Sequence, residues 1–140
     1  MYRTIFILFF LVFITACGIT KDDDKIQKAR ITDLIKRVED AFRENRIDAI
    51  FSHYHDNFLH DGFNRYDARY WWIEKRVLYH MIEIDILNIQ IDEVDAKVNI
   101  MINFSSLEVD RVPFPGDLIS YFYHDRGVWR IFGNQERHGE

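Results

Sequence analysis

The sequence predicts an α+β domain carried behind an export signal. Three observations predict it: helical periodicity in the first half of the exported chain, strict alternation in the second half, and a lone cysteine just after a short apolar run near the N-terminus. That run extends from Ile5 to Ile14 behind Arg3 and is closed by Thr15, Ala16, Cys17 and Gly18. Spanning a bilayer takes about 20 apolar residues, so the segment reads as a signal peptide with a basic start, an apolar middle and a small-residue cleavage site.

Ile14-Thr15-Ala16-Cys17 has the pattern of a lipobox, with Ile14 where leucine is usual. Lipid is expected on the Cys17 thiol, followed by cleavage between Ala16 and Cys17. The chain then divides into a signal peptide (1–16), a lipidated N-terminus and tether (17–25) and one domain (26–140). The plainer alternative is an ordinary secretory signal with a chance cysteine, but Cys17 is the only cysteine present. Each buried acyl methylene contributes about 0.8 kcal/mol, and more than one chain anchors stably where a single chain does not. The expected location is the bacterial cell envelope. Gly18, rather than aspartate, follows the cysteine, which in enterobacterial lipoproteins favours the outer membrane.

The 18 basic and 23 acidic residues give a net charge of −5, and loss of Arg3 with the signal makes the remainder more acidic. Nucleic acid is therefore not an expected partner, because phosphates call for a basic footprint. Adhesion to anionic lipid by overall charge is disfavoured on the same ground. With Cys17 acylated no thiol is left for an internal disulfide, so the core holds the fold unaided.

Residues 18 to 24 hold Gly, Thr and an Asp triplet without periodicity and read as solvated tether. From Ile26, the positions Ile31, Leu34, Ile35, Val38, Ala41 and Phe42 recur at helical spacing opposite Lys36, Arg37, Glu39 and Arg43. This helix should stop near Glu44-Asn45, where asparagine tolerates a left-handed backbone. A second helix is expected through Ile47, Ile50, Phe51 and Tyr54. After the segment Asn57 to Phe63, a third runs from Asn64 or Asp67 to Leu78, with Tyr66, Tyr70, Ile73 and Val77 spaced by four, three and four.

The period then changes to two. Ile82, Ile84 and Ile86 alternate with Glu83 and Asp85, and the alternation resumes out of phase at Ile89 and Ile91, which predicts a bulge at Leu87-Asn88. A turn at Asp92 to Asp95 leads to a strand through Ala96, Val98, Ile100, Ile102 and Phe104, whose other face carries Lys97, Asn99, Met101 and Asn103. A loop with Pro113 and Pro115 precedes a last hairpin: Asp117 to His124, a turn at Asp125-Arg126-Gly127, and Val128 to Asn134.

The run Glu39-Asp40-Ala41-Phe42-Arg43-Glu44-Asn45-Arg46-Ile47-Asp48-Ala49-Ile50, leading into Tyr54-His55-Asp56-Asn57-Phe58, resembles the NTF2-like (SnoaL-like) superfamily. The ending Asp125 to Asn134, an acidic-Gly turn followed by Trp129-Arg130-Ile131, is similar to that superfamily's last hairpin. The resemblance covers residues 26 to 134. It implies a cone, with three N-terminal helices packed on a strongly curved antiparallel sheet around a pocket. The superfamily holds isomerases, dehydratases, cyclases, transport factors and exported domains, so the site rather than the fold decides function.

Within that frame Tyr54, Phe58, His60, Tyr70, Trp71, Tyr121 and Trp129 are the expected pocket residues, with a buried aromatic core as the plainer reading. Trp71 and Trp72 cannot both face inward on one helix. The catalytic candidates are His60, Asp61 and Tyr54: a histidine beside a carboxylate suits general acid–base chemistry, although adjacent side chains usually diverge. An isomerase of this superfamily needs a tyrosine on the first helix and buried aspartates on strands. The first helix here has no tyrosine, and neither Asp85 nor Asp117 reads as a buried acid. His53 and His55, on a helix, would point about 200° apart, so no metal site is expected. No cofactor motif is present. The preferred expectation is a membrane-anchored, non-enzymatic domain binding a small apolar ligand or a protein partner. The alternative is a dehydratase- or isomerase-like enzyme using His60 or Asp61 with a pocket tyrosine, and pairing of two copies through the sheet is the third possibility.

Overall fold

The computed structural model describes residues 21–107, 112–113 and 119–135. The elements follow in the order α1 (Lys21–Arg43), α2 (Ile47–Phe51), β1 (Tyr54–His60), β2 (Phe63–Asn64), α3 (Arg65–Leu78), β3 (Met81–Asp92), β4 (Asp95–Ser105), β5 (Val112–Pro113), β6 (Ile119–Asp125) and β7 (Val128–Gly133). Cys17 and the signal segment, Pro115 and Asp117 lie outside the described residues.

All six of the apolar positions that predict α1 are buried, Ile31 and Phe42 completely. Its end is a Schellman motif: Arg46 N–H reaches Ala41 O at 2.8 Å and Asn45 N–H reaches Phe42 O at 3.0 Å, with Asn45 left-handed at φ 56°. The start differs from expectation, because the helix begins at Lys21 rather than Ile26. Those first turns stay polar, with Asp24 paired to Lys28 one turn on at 2.9 Å.

α2 is shorter than its pattern suggests. It ends at Phe51, and Tyr54 opens β1 instead of continuing the helix. Sheet pairing decides this: Ile131 N–H donates to His53 O at 2.9 Å, and β1 runs parallel to β7 with Tyr54 opposite Ile131 and Leu59 opposite Gly133. The last helix, α3, starts at Asn64, whose side chain accepts from the Tyr66 and Asp67 amides while Asp67 returns a bond to the Asn64 amide.

α3 shows its expected stripe on the opposite side from the core. Tyr66, Tyr70 and Val77 are 73%, 67% and 76% exposed, and the buried positions are Ala68 and Trp72. Small Ala68 lets the helix approach closely, and Trp72 reaches Phe42 edge-on at 5.8 Å.

Six strands run in the order β2-β1-β7-β6-β4-β3, and β5 pairs with β4 off that path. Every pairing is antiparallel except β1 with β7. The sheet is curved and unclosed, with helices against its inner face. The β3–β4 register shifts between Ile86 and Asn88, the bulge that the phase slip predicts. Glu93 takes φ 50° in the turn between these strands. Glu39 of α1 accepts the Ile84 amide at 2.6 Å, so the helix also occupies a hydrogen-bonding group on the sheet's outermost strand. Asn103 departs from its expected place on a wet outer face: it is buried and donates to Asp85 at 3.3 Å.

Candidate functional site

The inner face of the sheet, with α1 and α3 over it, is where the expected pocket residues should meet. Two of them do. Tyr54 and Phe58 are both buried on β1, ring to ring at 4.7 Å. The Tyr54 hydroxyl accepts the Trp72 indole N–H at 2.6 Å, and burial pushes its pKa up to about 12 against the smaller lowering effect of that bond. A phenol so held is a fixed polar point, not an acid or base near neutral pH.

His60 continues this line at the end of β1. Its ring lies parallel to Phe58 at 6.4 Å, so Phe58 stands between it and Tyr54. Asp61 takes a left-handed turn conformation (φ 48°) and is clasped to the end of β7: its N–H donates to Asn134 Oδ1 at 3.0 Å, and Asn134 Nδ2 donates back to its carboxylate. The closest approach of His60 Nε2 to Asp61 is 3.7 Å, beyond hydrogen-bond reach. The three catalytic candidates therefore lie near one another along β1 and the turn after it without converging on one point.

Three expected pocket residues sit elsewhere or only at the margin. Tyr70 faces outward on α3. Tyr121 alternates with buried Ser120 and Phe122 and pairs with Lys97, which places it on the outer face of the sheet. Trp71 is half-buried at the border, edge-on to Trp72 at 4.8 Å and to Phe104 at 5.8 Å, with the Lys75 ammonium over its ring. The physical reason is common to all three: one residue along a strand reverses the face, and one along a helix turns it by about 100°.

Trp129 is buried on the inner face, and its indole N–H is held by Gln27 of α1 at 2.9 Å. Beside it, at 5.0 Å between rings, lies His124, whose Nε2 is buried with no hydrogen-bond partner among the described residues. Neither Gln27 nor His124 stands out in the sequence; alternation with Phe122 is the one signal that turns His124 inward.

On the outer face His55, Tyr123 and Phe132 pack together, with ring separations of 5.5 Å for His55–Tyr123 and 5.2 Å for His55–Phe132. His55 Nδ1 accepts the Asn57 amide at 3.0 Å, which leaves the ring proton on Nε2 when the ring is neutral. His53, just ahead of β1, has its pKa lowered by burial and then by the charges of Arg37 and Arg130. The helical geometry expected for the His53/His55 pair is thus replaced by a strand start, and each ring has its own surroundings. Among the described residues no group of three or more His, Cys, Asp or Glu side chains is placed to hold a metal.

No family model and no curated protein matches the chain. Solved structures do. The chain is similar to Bd1075 of Bdellovibrio bacteriovorus, with 14% identity and a TM-score of 0.61 over 81% of this chain, though it spans only 41% of that protein's length. It is similar to an NTF2-like protein of unknown function from Shewanella oneidensis, with 17% identity and a TM-score of 0.62 over 76% of this chain and 95% of the other. A protein provisionally named a dehydratase of the NTF2-like family, from Streptomyces avermitilis, matches at 10% identity and a TM-score of 0.56 over 78% of this chain and 94% of the other. Identities this low speak to architecture alone, and the architecture agrees with the helices, sheet order and curvature described above. This chain has the fold of these NTF2-like proteins.

Proposed function

We propose that the protein is an envelope lipoprotein, held to the membrane by acyl chains on Cys17, whose NTF2-like domain binds a small apolar ligand or a protein partner without turning it over. What carries the reading is the state of the inner polar groups. Tyr54 is engaged by Trp72 and the Trp129 indole by Gln27, while His60 and Asp61 are separated by more than hydrogen-bond distance. The buried residues around Tyr54 and Trp129 are mainly aromatic and aliphatic, the surroundings an apolar guest prefers. The lone cysteine behind an apolar run supports the anchor. Among the described residues no helix is long and apolar enough to cross a membrane.

Two measurements test it. Cell fractionation of the wild type should place the chain with membranes, and Cys17→Ser should abolish its labelling by an alkyne fatty acid; unlabelled wild-type protein rejects the anchor. Native mass spectrometry of detergent-extracted protein should show a mass excess that denaturation releases, or a co-purifying polypeptide; an empty monomer rejects the binding reading.

A second reading, an enzyme of dehydratase or isomerase type using His60 or Asp61 with a tyrosine, draws on the Streptomyces protein's name and on the position of His60 beside Phe58. Turnover of a hydroxyl or carbonyl substrate that disappears in His60→Ala would establish it in place of the first.

A further inference from the structure

α3 has two apolar faces and the fold uses one. Ala68 and Trp72 enter the core, whereas Tyr66, Tyr70 and Val77 are exposed and half-buried Ile73 joins them, at steps of four, three and four, in a single stripe along the helix. Phe63 just before the helix and Leu78 at its end are also exposed, at 55% and 60%. A continuous apolar strip of this kind, unlike scattered exposed side chains, marks a contact surface.

The side chains on it are of a particular kind. Phenols and branched aliphatic groups suit the boundary between water and lipid, where the ring body is buried and the hydroxyl stays wet. The charges beside the stripe are mostly paired: Arg65 with Asp56 and Arg69 with Asp48, each at 2.9 Å, while Asp67 is engaged in the helix cap and Lys75 lies over Trp71. The flank therefore presents no block of one sign to a bilayer that the acidic chain as a whole would avoid.

We propose that the Tyr66–Val77 stripe of α3 lies in the headgroup region of the bilayer to which the chain is tethered. The inference rests on acylation of Cys17. The occupant follows from where the chain leads: α1 starts at Lys21, four residues beyond Cys17, so the bilayer is an apolar phase permanently within reach. A tethered contact is intramolecular, and a weak one is populated that would fail between free partners. Reach is sufficient. α1 is about 33 Å long at 1.5 Å per residue, and Arg76 of α3 holds its far end by donating to Phe42 O at 2.9 Å. The four-residue link spans up to about 14 Å, which leaves the domain free to turn on its tether.

The test uses the full chain, processed and lipidated in the cell and reconstituted into vesicles of phosphatidylethanolamine and phosphatidylglycerol. Spin labels are placed singly by Tyr70→Cys, Val77→Cys and, as a water-side reference, Leu107→Cys, all at exposed positions. At 70 and 77 collisions with oxygen should exceed those with a water-soluble nickel chelate, and at 107 the order should reverse. Water-like collision rates at 70 and 77, in protein that floats with the vesicles, overturn the membrane contact and leave the anchor standing. Low access to both reagents, with a spectrum that sharpens on dilution into more lipid, assigns the stripe to a second copy and likewise overturns it. Protein that fails to float overturns the anchor itself, and the contact with it.

Discussion

At the Tyr54 hydroxyl a single hydrogen bond joins β1 to α3, and its removal should be costly. Tyr54→Phe leaves the Trp72 N–H buried without an acceptor, a loss of about 1–3 kcal/mol that urea unfolding at neutral pH would read. The same substitution should change the alkaline limb. The folded pKa of about 12 lies above the ordinary 10.0, so the fold favours the protonated phenol. That contribution is intact below about pH 10 and is lost as pH rises towards about 12. Wild type should therefore lose stability through that window more steeply than Tyr54→Phe, and parallel profiles would show that the phenol is not the group responsible. His53 has the opposite sign. Its folded pKa is lowered, so the stability it contributes is present above the ordinary 6.5 and lost as pH falls through the folded value. Arg130→Gln should raise that pKa, but not fully to 6.5, because burial is the larger cause; imidazole NMR titration reads the shift directly.

Among the elements, α3 depends on its start and β7 on its end. Asn64→Ala removes the side chain that caps two amides and should cost about 1 kcal/mol, seen as a lower thermal midpoint. Gly133→Ala should be much worse, roughly 3 kcal/mol or more: φ is +102°, and an added Cβ would lie 1.9 Å from Leu59 O on the adjoining strand. Gly127→Ala, at φ +85° with open space around it, should cost only about 1 kcal/mol. Equal midpoints for the two variants would mean that β1 and β7 are not held this closely. At this scale the sequence was legible wherever local chemistry decides: Asn45 ends α1, Asn64 starts α3, the Leu87 phase slip is a bulge, and Arg126-Gly127 makes the last turn. It was misread at Tyr54, which fits the end of the second helix but is claimed by pairing with a strand more than 70 positions away. The same blindness put Tyr70 in the pocket, because two apolar faces on one helix have the same period and only packing chooses between them.

For the molecule as a whole, the succession of periods was enough to find helices against a curved sheet, while the site depended on which side chains cross between elements. Tyr54 meets Trp72, and Gln27 meets Trp129 across 102 positions, and no local pattern announces either pair. These crossings have a thermodynamic consequence. α1 touches the last hairpin through Gln27 near its start, and β3 through Glu39 and α3 through Phe42 near its end. α1 is thus tied to the hairpin, to β3 and to α3, so the described domain should unfold as one unit. The tryptophans report from both ends, Trp129 beside the start of α1 and Trp72 beside its finish. Fluorescence of Trp129→Phe and of the double variant Trp71→Phe/Trp72→Phe, each corrected for its own stability, should therefore give transitions that coincide with far-ultraviolet circular dichroism. Reductant should move none of them, since the chain has one cysteine and no disulfide within it. A Trp129 signal lost at lower denaturant than the dichroism would show that the last hairpin and the start of α1 open first, and would divide the domain into two cooperative parts.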